Sequence, residues 1–154
     1  MSTVSKSFTF VAIFFSVYIL SFPILANDLE EVIAAANQGE KALQLKCNGY
    51  CEEYKNANSV CLLADIKPKV DCLKKWNFDL AKGVYSDGKP GQEETPEEHL
   101  NRNMAKTGII AGAIAKKLTS EMLKACKKIA EVSGEMASRM VRLKEFCGRL
   151  AANQ

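Results

Sequence analysis

Apolar residues recur at intervals of three and four along most of the chain, which is the spacing of one face of an α-helix. After a possible Asn27-Asp28 cap, the first such stripe runs from Leu29 to Cys47. No segment shows the alternation of apolar and polar residues that is typical of a strand. The pattern predicts an all-α fold, a compact bundle of about five or six short helices. The other predicted helices span residues 70–83, 96–118, 121–132 and 135–150.

A Gly/Pro-rich break separates the predicted helix that ends near Gly83 from the helix that follows. Gly83 suits the left-handed conformation that closes many helices, and residues 86–91 (SDGKPG) are a cluster of turn formers. Thr95, Pro96 and Glu98 then stand at the N-cap, first and third positions of a new helix. A helix, a turn and a capped second helix are therefore predicted in one segment.

Residues 1–26 are predicted to be a secretory signal peptide. Lys6 precedes an apolar run over residues 8–20, and Ala26 provides a small residue for cleavage. A membrane anchor is the less favoured alternative, because the run is shorter than the roughly 20 apolar residues that span a bilayer. Residues 27–154 then form a single helical domain, which is expected to be secreted and extracellular.

All six cysteines lie in the predicted mature chain. An even number of cysteines in an oxidising compartment indicates disulfide bonds. A zinc site is disfavoured, because the chain has no Cys-x-x-Cys pair and only one histidine. Six cysteines allow 15 pairings, so spacing alone leaves the connectivity open.

Charge is divided unevenly between the two halves of the predicted domain. Residues 27–100 carry 9 lysines and 14 acidic residues, a net charge of −5, whereas residues 101–154 carry a net charge of +7. We expect the acidic half to complement the basic half within the fold. The alternative is a cationic face that binds acidic membranes or partners. The basic residues form no patch interleaved with aromatic residues, so binding to nucleic acid is not predicted.

The sequence shows no catalytic signature. His99 is the only histidine, and it is expected to be solvated or to act as a capping residue in the first turn of its helix. No motif supplies a nucleophile or a fixed carboxylate beside it, and no calcium-loop series follows Asp79 or Asp87. We therefore predict a protein that is not an enzyme and that uses no metal and no cofactor.

Methionines are concentrated in the last three predicted helices, at Met104, Met122, Met136 and Met140. Methionine fills irregular gaps in an ordinary core, and it also adapts to varied apolar ligands. The methionine pattern is compatible both with ordinary core packing and with an apolar cavity between helices.

Two stretches, CLKKW from Cys72 to Trp76 and LAKGVYSDGK from Leu80 to Lys89, give the chain a resemblance to a known family. They resemble the insect odorant-binding proteins, with the pheromone-binding proteins and related ant-venom allergens included. In that family a Cys-x3-Cys pair opens the third helix, and a glycine, an apolar pair and an Asp-Gly-Lys turn follow. The chain departs from the family at two cysteine positions, where it has Trp76 and Ser138.

The resemblance implies one disulfide directly. Cys126 and Cys147 match the fourth and sixth cysteines of the family, which pair with each other. The other four cysteines are then expected to pair among themselves. Of the possible arrangements, Cys47–Cys72 together with Cys51–Cys61 is slightly preferred.

The resemblance also implies a function, namely a secreted carrier of small hydrophobic ligands (odorant, pheromone or lipid-like) in an apolar cavity between helices. The partner is then a small hydrophobic molecule, with a receptor or host protein as a further candidate, and binding to a membrane surface is not expected. Tyr85 is a candidate to offer its hydroxyl to a ligand oxygen. The predicted ligand-binding residues are Leu73, Phe78, Val84, Tyr85, Ile110, Ile114, Leu118, Met122, Met136, Met140 and Leu143.

Two other classes of function stay open. A salivary or venom effector would act through protein–protein contacts, with a filled core and an exposed apolar or charged patch. A cationic membrane-active protein is suggested by the Ile, Ala and Lys pattern of residues 108–132. The disulfides should hold that segment in the bundle, which disfavours the membrane-active class.

Overall fold

The computed structural model describes the backbone of residues 23–86, 91–110 and 112–154, and the side chains of residues 27–86, 91–104, 116 and 119–154. This part of the chain is mostly helical and carries three disulfides, in agreement with the predicted all-α bundle. The helices are α1 (Pro23–Gln38), α2 (Glu40–Glu53), α3 (Lys55–Leu63), α4 (Val70–Lys75), α5 (Pro96–Ile110), α6 (Gly112–Ala130), α7 (Glu135–Arg139) and α8 (Val141–Ala152).

The predicted signal peptide lies outside the described residues, except for the backbone of 23–26, which starts α1. Gly39 separates α1 from α2 with a φ of 110°, a value that residues with a Cβ rarely adopt. The two helices pack against each other across this joint. Within the residues that the structure describes, no helix is both long enough and apolar enough to cross a bilayer.

A small antiparallel sheet follows α4, where the sequence predicted a longer helix and no strand. Its strands are β1 (Phe78–Asp79), β2 (Val84–Ser86) and β3 (Glu93–Glu94), in the order β1-β2-β3. The helix ends early because Asn77 adopts a left-handed φ of 55°, which asparagine tolerates better than most residues. Gly83, with a φ of 69°, lies in the β1–β2 turn instead of closing a helix. The prediction of a helix over 70–83 was therefore wrong after Lys75.

The capping box before α5 is confirmed. Glu98 N donates to Thr95 Oγ1 at 3.2 Å, and Thr95 N donates to Glu98 Oε2 at 2.8 Å. Other predicted boundaries were wrong, because α6 runs unbroken through residues 119–121 and Met140 divides the predicted helix 135–150 into α7 and α8. Local capping residues are weak signals where the apolar stripe continues past them.

Among the described side chains, buried apolar residues form two groups. The larger group, here called the main core, lies among the long helices and includes Leu29 and Leu143. The smaller group, here called the small core, includes Phe78 and Tyr85 and lies between α4 and the sheet. The Phe78 and Tyr85 rings meet edge to face, with centroids 4.9 Å apart, so the sheet contributes its own apolar contacts.

The disulfides join helices of the bundle. The Cys126–Cys147 bond links α6 to α8, as predicted. The other four cysteines pair among themselves, also as predicted.

The preferred pairing of those four cysteines, Cys47–Cys72 with Cys51–Cys61, was wrong. The structure joins Cys47 to Cys61 and Cys51 to Cys72, with Cα atoms 5.6 and 5.7 Å apart. α2 and α3 fold back on each other at Tyr54, and Cys47 and Cys61 lie seven residues on either side of it. Positions at equal distances from a tight hairpin face each other, which leaves Cys51 free to bond to Cys72 on α4.

Ion pairs connect the acidic half of the chain to its basic half, in line with the expected internal complementation. Each pair lies at the surface, so each one contributes little alone, about 0–1 kcal/mol. The pairs that cross between the halves include Glu30–Lys128, Glu40–Arg139, Asp65–Arg142 and Glu97–Arg149.

Candidate functional site

An open groove runs along the surface between α6 and α8, beside the Cys126–Cys147 bond. Its volume is about 720 Å³, which falls within the range of about 300–1,000 Å³ typical of small-molecule sites. We call it the α6–α8 groove. Its lining residues are Ser120, Leu123, Lys124, Cys126, Lys127, Ile129, Ala130, Lys144, Cys147, Gly148 and Ala151.

The helical period explains why these residues line one groove. On α8, Lys144 lies three and four residues before Cys147 and Gly148, and Ala151 lies four and three residues after them, so all four are on one side of the helix. The small residues keep the floor open, and a Cβ built on Gly148 would meet no atom within 4 Å. The disulfide holds the Cα atoms of Cys126 and Cys147 5.5 Å apart and so fixes the spacing of the two helices.

The described residues that line the α6–α8 groove include three lysines and no aspartate or glutamate. Lys144 Nζ donates to the Val132 carbonyl at 3.1 Å, so this ammonium group is tied to the backbone that follows α6. Lys124 Nζ lies 2.7 Å from Glu121 Oε1. Lys127 is exposed and has no ion pair with any described residue. The groove therefore has an apolar floor and a positively charged rim.

The residues predicted to line a ligand cavity are divided between the two cores. Three belong to the small core, namely Leu73, Phe78 and Tyr85. Three belong to the main core, namely Met122, Met140 and Leu143. Val84 and Met136 are partly exposed, and the side chains of Ile110, Ile114 and Leu118 lie outside the described residues. A cavity shared by all of them remains a prediction.

The sequence prediction missed the α6–α8 groove. The available signal was the pairing of Cys126 with Cys147, which places the outer faces of α6 and α8 side by side. The small residues Gly148 and Ala151, which follow Cys147, and the lysines on either side of Cys126 then indicate an apolar floor with a basic rim. The width of the gap depends on the distance between two helices, which periodicity does not contain.

Tyr85 lies at the centre of a buried polar cluster between α3 and the sheet. Its Oη accepts a hydrogen bond from Asn58 Nδ2 at 3.0 Å and is hydrogen-bonded to Ser59 Oγ at 3.2 Å. All three residues are at least 99% buried, and burial raises the pKa of Tyr85 to about 12. The hydroxyl that was predicted to meet a ligand oxygen thus already has two side-chain partners.

His99 is buried in the same cluster, so the expectation of a solvated or capping histidine was wrong. Its ring stacks on Tyr85, with centroids 4.2 Å apart, and only 1% of the residue is exposed. Nδ1 lies 3.1 Å from Glu94 Oε2, and Arg102 Nη2 donates to the same oxygen at 2.9 Å. Burial lowers the pKa of His99, Glu94 opposes that shift, and the charges of Lys55 and Arg102 reinforce it.

The cluster resembles a hydrogen-bonded support rather than a catalytic pair. A nucleophilic serine requires a base within hydrogen-bond reach. Ser59 Oγ instead contacts Tyr85 Oη and the Lys55 carbonyl, and the imidazole contacts Glu94. Asn58 Oδ1 and His99 Nε2 are buried without a hydrogen-bond partner among the described residues.

A second titratable cluster surrounds Asp28 near the start of α1. Burial is the main reason that the pKa of Asp28 rises to about 7, with Glu31 adding to the rise and Lys46 opposing it. Glu31 is hydrogen-bonded to Tyr50 and ion-paired with Lys46, and these contacts lower its own pKa. Asp28 therefore changes charge near neutral pH, while its neighbour Glu31 stays ionised.

Within the described ranges, no group of three or more His, Cys, Asp or Glu side chains is placed to hold a metal ion. Comparison with known proteins finds no match to a protein-family model, to a curated protein or to a solved structure.

Proposed function

We propose that the protein is a secreted carrier of small hydrophobic ligands and that it binds them in the α6–α8 groove. The observation that supports this proposal is the groove itself, which has a volume of about 720 Å³ and an apolar floor that small residues leave open, between two helices joined by a disulfide. The three disulfides fit an oxidising, extracellular compartment. The resemblance to odorant-binding proteins suggests the same class of ligand.

The groove is a better candidate than the two cores because it is already open to a ligand, whereas the side chains of the cores are packed together. Met122 and Met140 were predicted to line a cavity, but each is at most 1% exposed and packed in the main core. A ligand there would have to displace packed side chains, which costs free energy. A ligand in the α6–α8 groove would cover apolar surface at about 25 cal/mol per Å² without that displacement.

The proposal is tested by displacement of a fluorescent apolar probe from the oxidised protein. The informative variant is Gly148→Leu, because Gly148 lies on the groove floor and an added side chain meets no atom at its Cβ. Gly49→Leu is the matched control, since Gly49 is also an exposed helical glycine with no atom within 4 Å of its built Cβ, but it does not line the groove.

We expect wild type and Gly49→Leu to bind the probe with about micromolar affinity, which corresponds to about −8 kcal/mol. Gly148→Leu should lose at least about tenfold in affinity while it unfolds at the same or a higher denaturant concentration. Equal binding by both variants would place the ligand elsewhere. No binding by the folded wild type would reject the carrier and favour the effector alternative, which acts through protein–protein contacts.

A further inference from the structure

We propose that the ligand of the α6–α8 groove is a single-chain amphiphile with an anionic head group, which Lys127 binds with help from Lys124. The proposal rests on the carrier function argued above and specifies its ligand class. It depends on the charges at the rim of the groove.

Among the described lining residues, the rim carries charge of one sign only. Its charged side chains are Lys124, Lys127 and Lys144, and the other lining residues are apolar or are small and uncharged. A cleft that is lined by one sign of charge attracts the opposite charge, while the apolar floor favours an alkyl chain. A neutral or cationic head group would receive no such attraction.

The three lysines differ in how free they are to bind a head group. Lys144 Nζ donates to the Val132 carbonyl, so its ammonium group is partly committed within the fold. Lys124 is paired with Glu121, but its side chain is 61% exposed and the pair lies at the surface, where such pairs contribute only about 0–1 kcal/mol. Lys127 has no ion pair among the described residues, so it is the lysine most available to an anion.

The spacing of Lys124 and Lys127 lets both reach one head group. They lie three residues apart on α6, so their side chains are neighbours on the helix surface. Lysine side chains can cover apolar surface with their methylene groups and keep the ammonium group in water. An alkyl chain on Leu123 and Ala130 would then lie along the floor with its head group at the rim.

The test compares dodecanoate, dodecanol and dodecyltrimethylammonium, which have the same tail and an anionic, a neutral or a cationic head. Each is titrated against the bound probe at neutral pH, below its micelle concentration. We expect dodecanoate to bind about three- to tenfold more tightly than dodecanol, and dodecyltrimethylammonium to bind most weakly. The preference for dodecanoate should shrink as salt rises from about 0.02 to about 0.5 M, because exposed charges are screened.

Lys127→Gln is the informative variant, and Lys128→Gln is its control. Both remove one exposed charge from the same turn of α6, but Lys128 pairs with Glu30 and does not line the groove. We expect Lys127→Gln to bring the affinity for dodecanoate close to that for dodecanol, whereas Lys128→Gln should keep the preference. An equal effect of the two variants, or equal affinities of wild type for acid and alcohol, would overturn the anionic head group.

The outcomes separate this proposal from the carrier function. If acid and alcohol displace the probe equally and Gly148→Leu weakens both, the carrier function stands and the anionic preference is rejected. If none of the three amphiphiles displaces the probe but Gly148→Leu weakens its binding, the carrier function stands and the single-chain amphiphile is rejected. If the folded wild type does not bind the probe at all, both proposals are rejected. Binding to phosphatidylserine vesicles without displacement of the probe would indicate a membrane surface, and it would likewise overturn the single-chain ligand.

Discussion

Tyr85→Phe should destabilise the protein strongly, although it removes only one oxygen atom. That oxygen accepts a hydrogen bond from Asn58 Nδ2 and is hydrogen-bonded to Ser59 Oγ, and all three residues are almost fully buried. The Asn58 amide would then have no acceptor for this donor, in addition to its Oδ1, which already has no partner among the described residues. The change leaves the stacking of the ring on His99 in place.

The expected loss follows from these contacts. A buried donor that loses its only partner costs about 1–3 kcal/mol, and the lost bond to Ser59 adds about 1 kcal/mol. We therefore expect Tyr85→Phe to lower the free energy of unfolding by about 2–4 kcal/mol. This is a large share of the roughly 5–15 kcal/mol that stabilises a typical domain.

Denaturant unfolding with the disulfides intact measures this loss. Tyr54→Phe is the control, because Tyr54 is 40% exposed and should change stability by less than about 0.5 kcal/mol. A double-mutant cycle with Ser59→Ala should give a coupling of about 0.5–1.5 kcal/mol between the two hydroxyls. A loss for Tyr85→Phe no greater than that for Tyr54→Phe would refute the proposed role of the buried network.

Three further predictions concern stability. Gly148→Ala should raise the free energy of unfolding by about 1 kcal/mol in denaturant titrations, because alanine favours a helix and its Cβ meets no atom. Asp28→Asn should stabilise the protein relative to wild type by about 2–4 kcal/mol above pH 7 and by almost nothing below pH 4, measured by unfolding across that range. The sign follows because the folded-state pKa of Asp28, about 7, lies above its unfolded value of 3.8. His99 has a folded-state pKa below its unfolded value of 6.5, so its stabilising contribution is complete above pH 6.5 and is lost as the pH falls below it. His99→Gln should therefore make the acid-side decline in stability shallower, and an unchanged slope would contradict this.

The sequence predicted those parts of the fold that depend on nearby residues. The capping box at Thr95 involves groups only three residues apart, so its residue types suffice to predict it. The helical stripes are similarly local, because side chains three and four positions apart share a face. The Cys126–Cys147 bond was implied by family resemblance, and it lies between the faces that the stripes predict.

Predictions failed where contacts between distant residues decide the conformation. β2 pairs with both β1 and β3, and strands of two or three residues are too short for an alternating pattern to appear. His99 is buried because Tyr85 stacks on it and Glu94 Oε2 lies 3.1 Å from its Nδ1, and both partners come from the sheet. Without the sheet, an isolated histidine in the first turn of a helix has no visible reason to be buried.

The site was less predictable than the fold for a related reason. Whether two packed helices leave a groove depends on side-chain volumes on both of them at once, here the small residues Ala130, Gly148 and Ala151. A single stripe does not show which side chains face each other. The cavity prediction therefore selected large apolar residues, and the described members of that set are mostly buried in the two cores.

Tyr85 and Lys127 present polar groups in different surroundings, and this separates stability from ligand binding. The hydrogen-bonding groups of Tyr85 and Ser59 are used inside the fold, where they connect α3 to the sheet. The ammonium group of Lys127 lies at the exposed rim of the α6–α8 groove. Tyr85→Phe should therefore lower stability and leave the probe affinity of the folded protein unchanged, because Tyr85 does not line that groove. Gly148→Leu should weaken the binding of the probe and leave the stability unchanged or higher. If Tyr85→Phe instead weakens binding by the folded protein, the ligand contacts Tyr85, as the sequence predicted, and the α6–α8 groove is not the site.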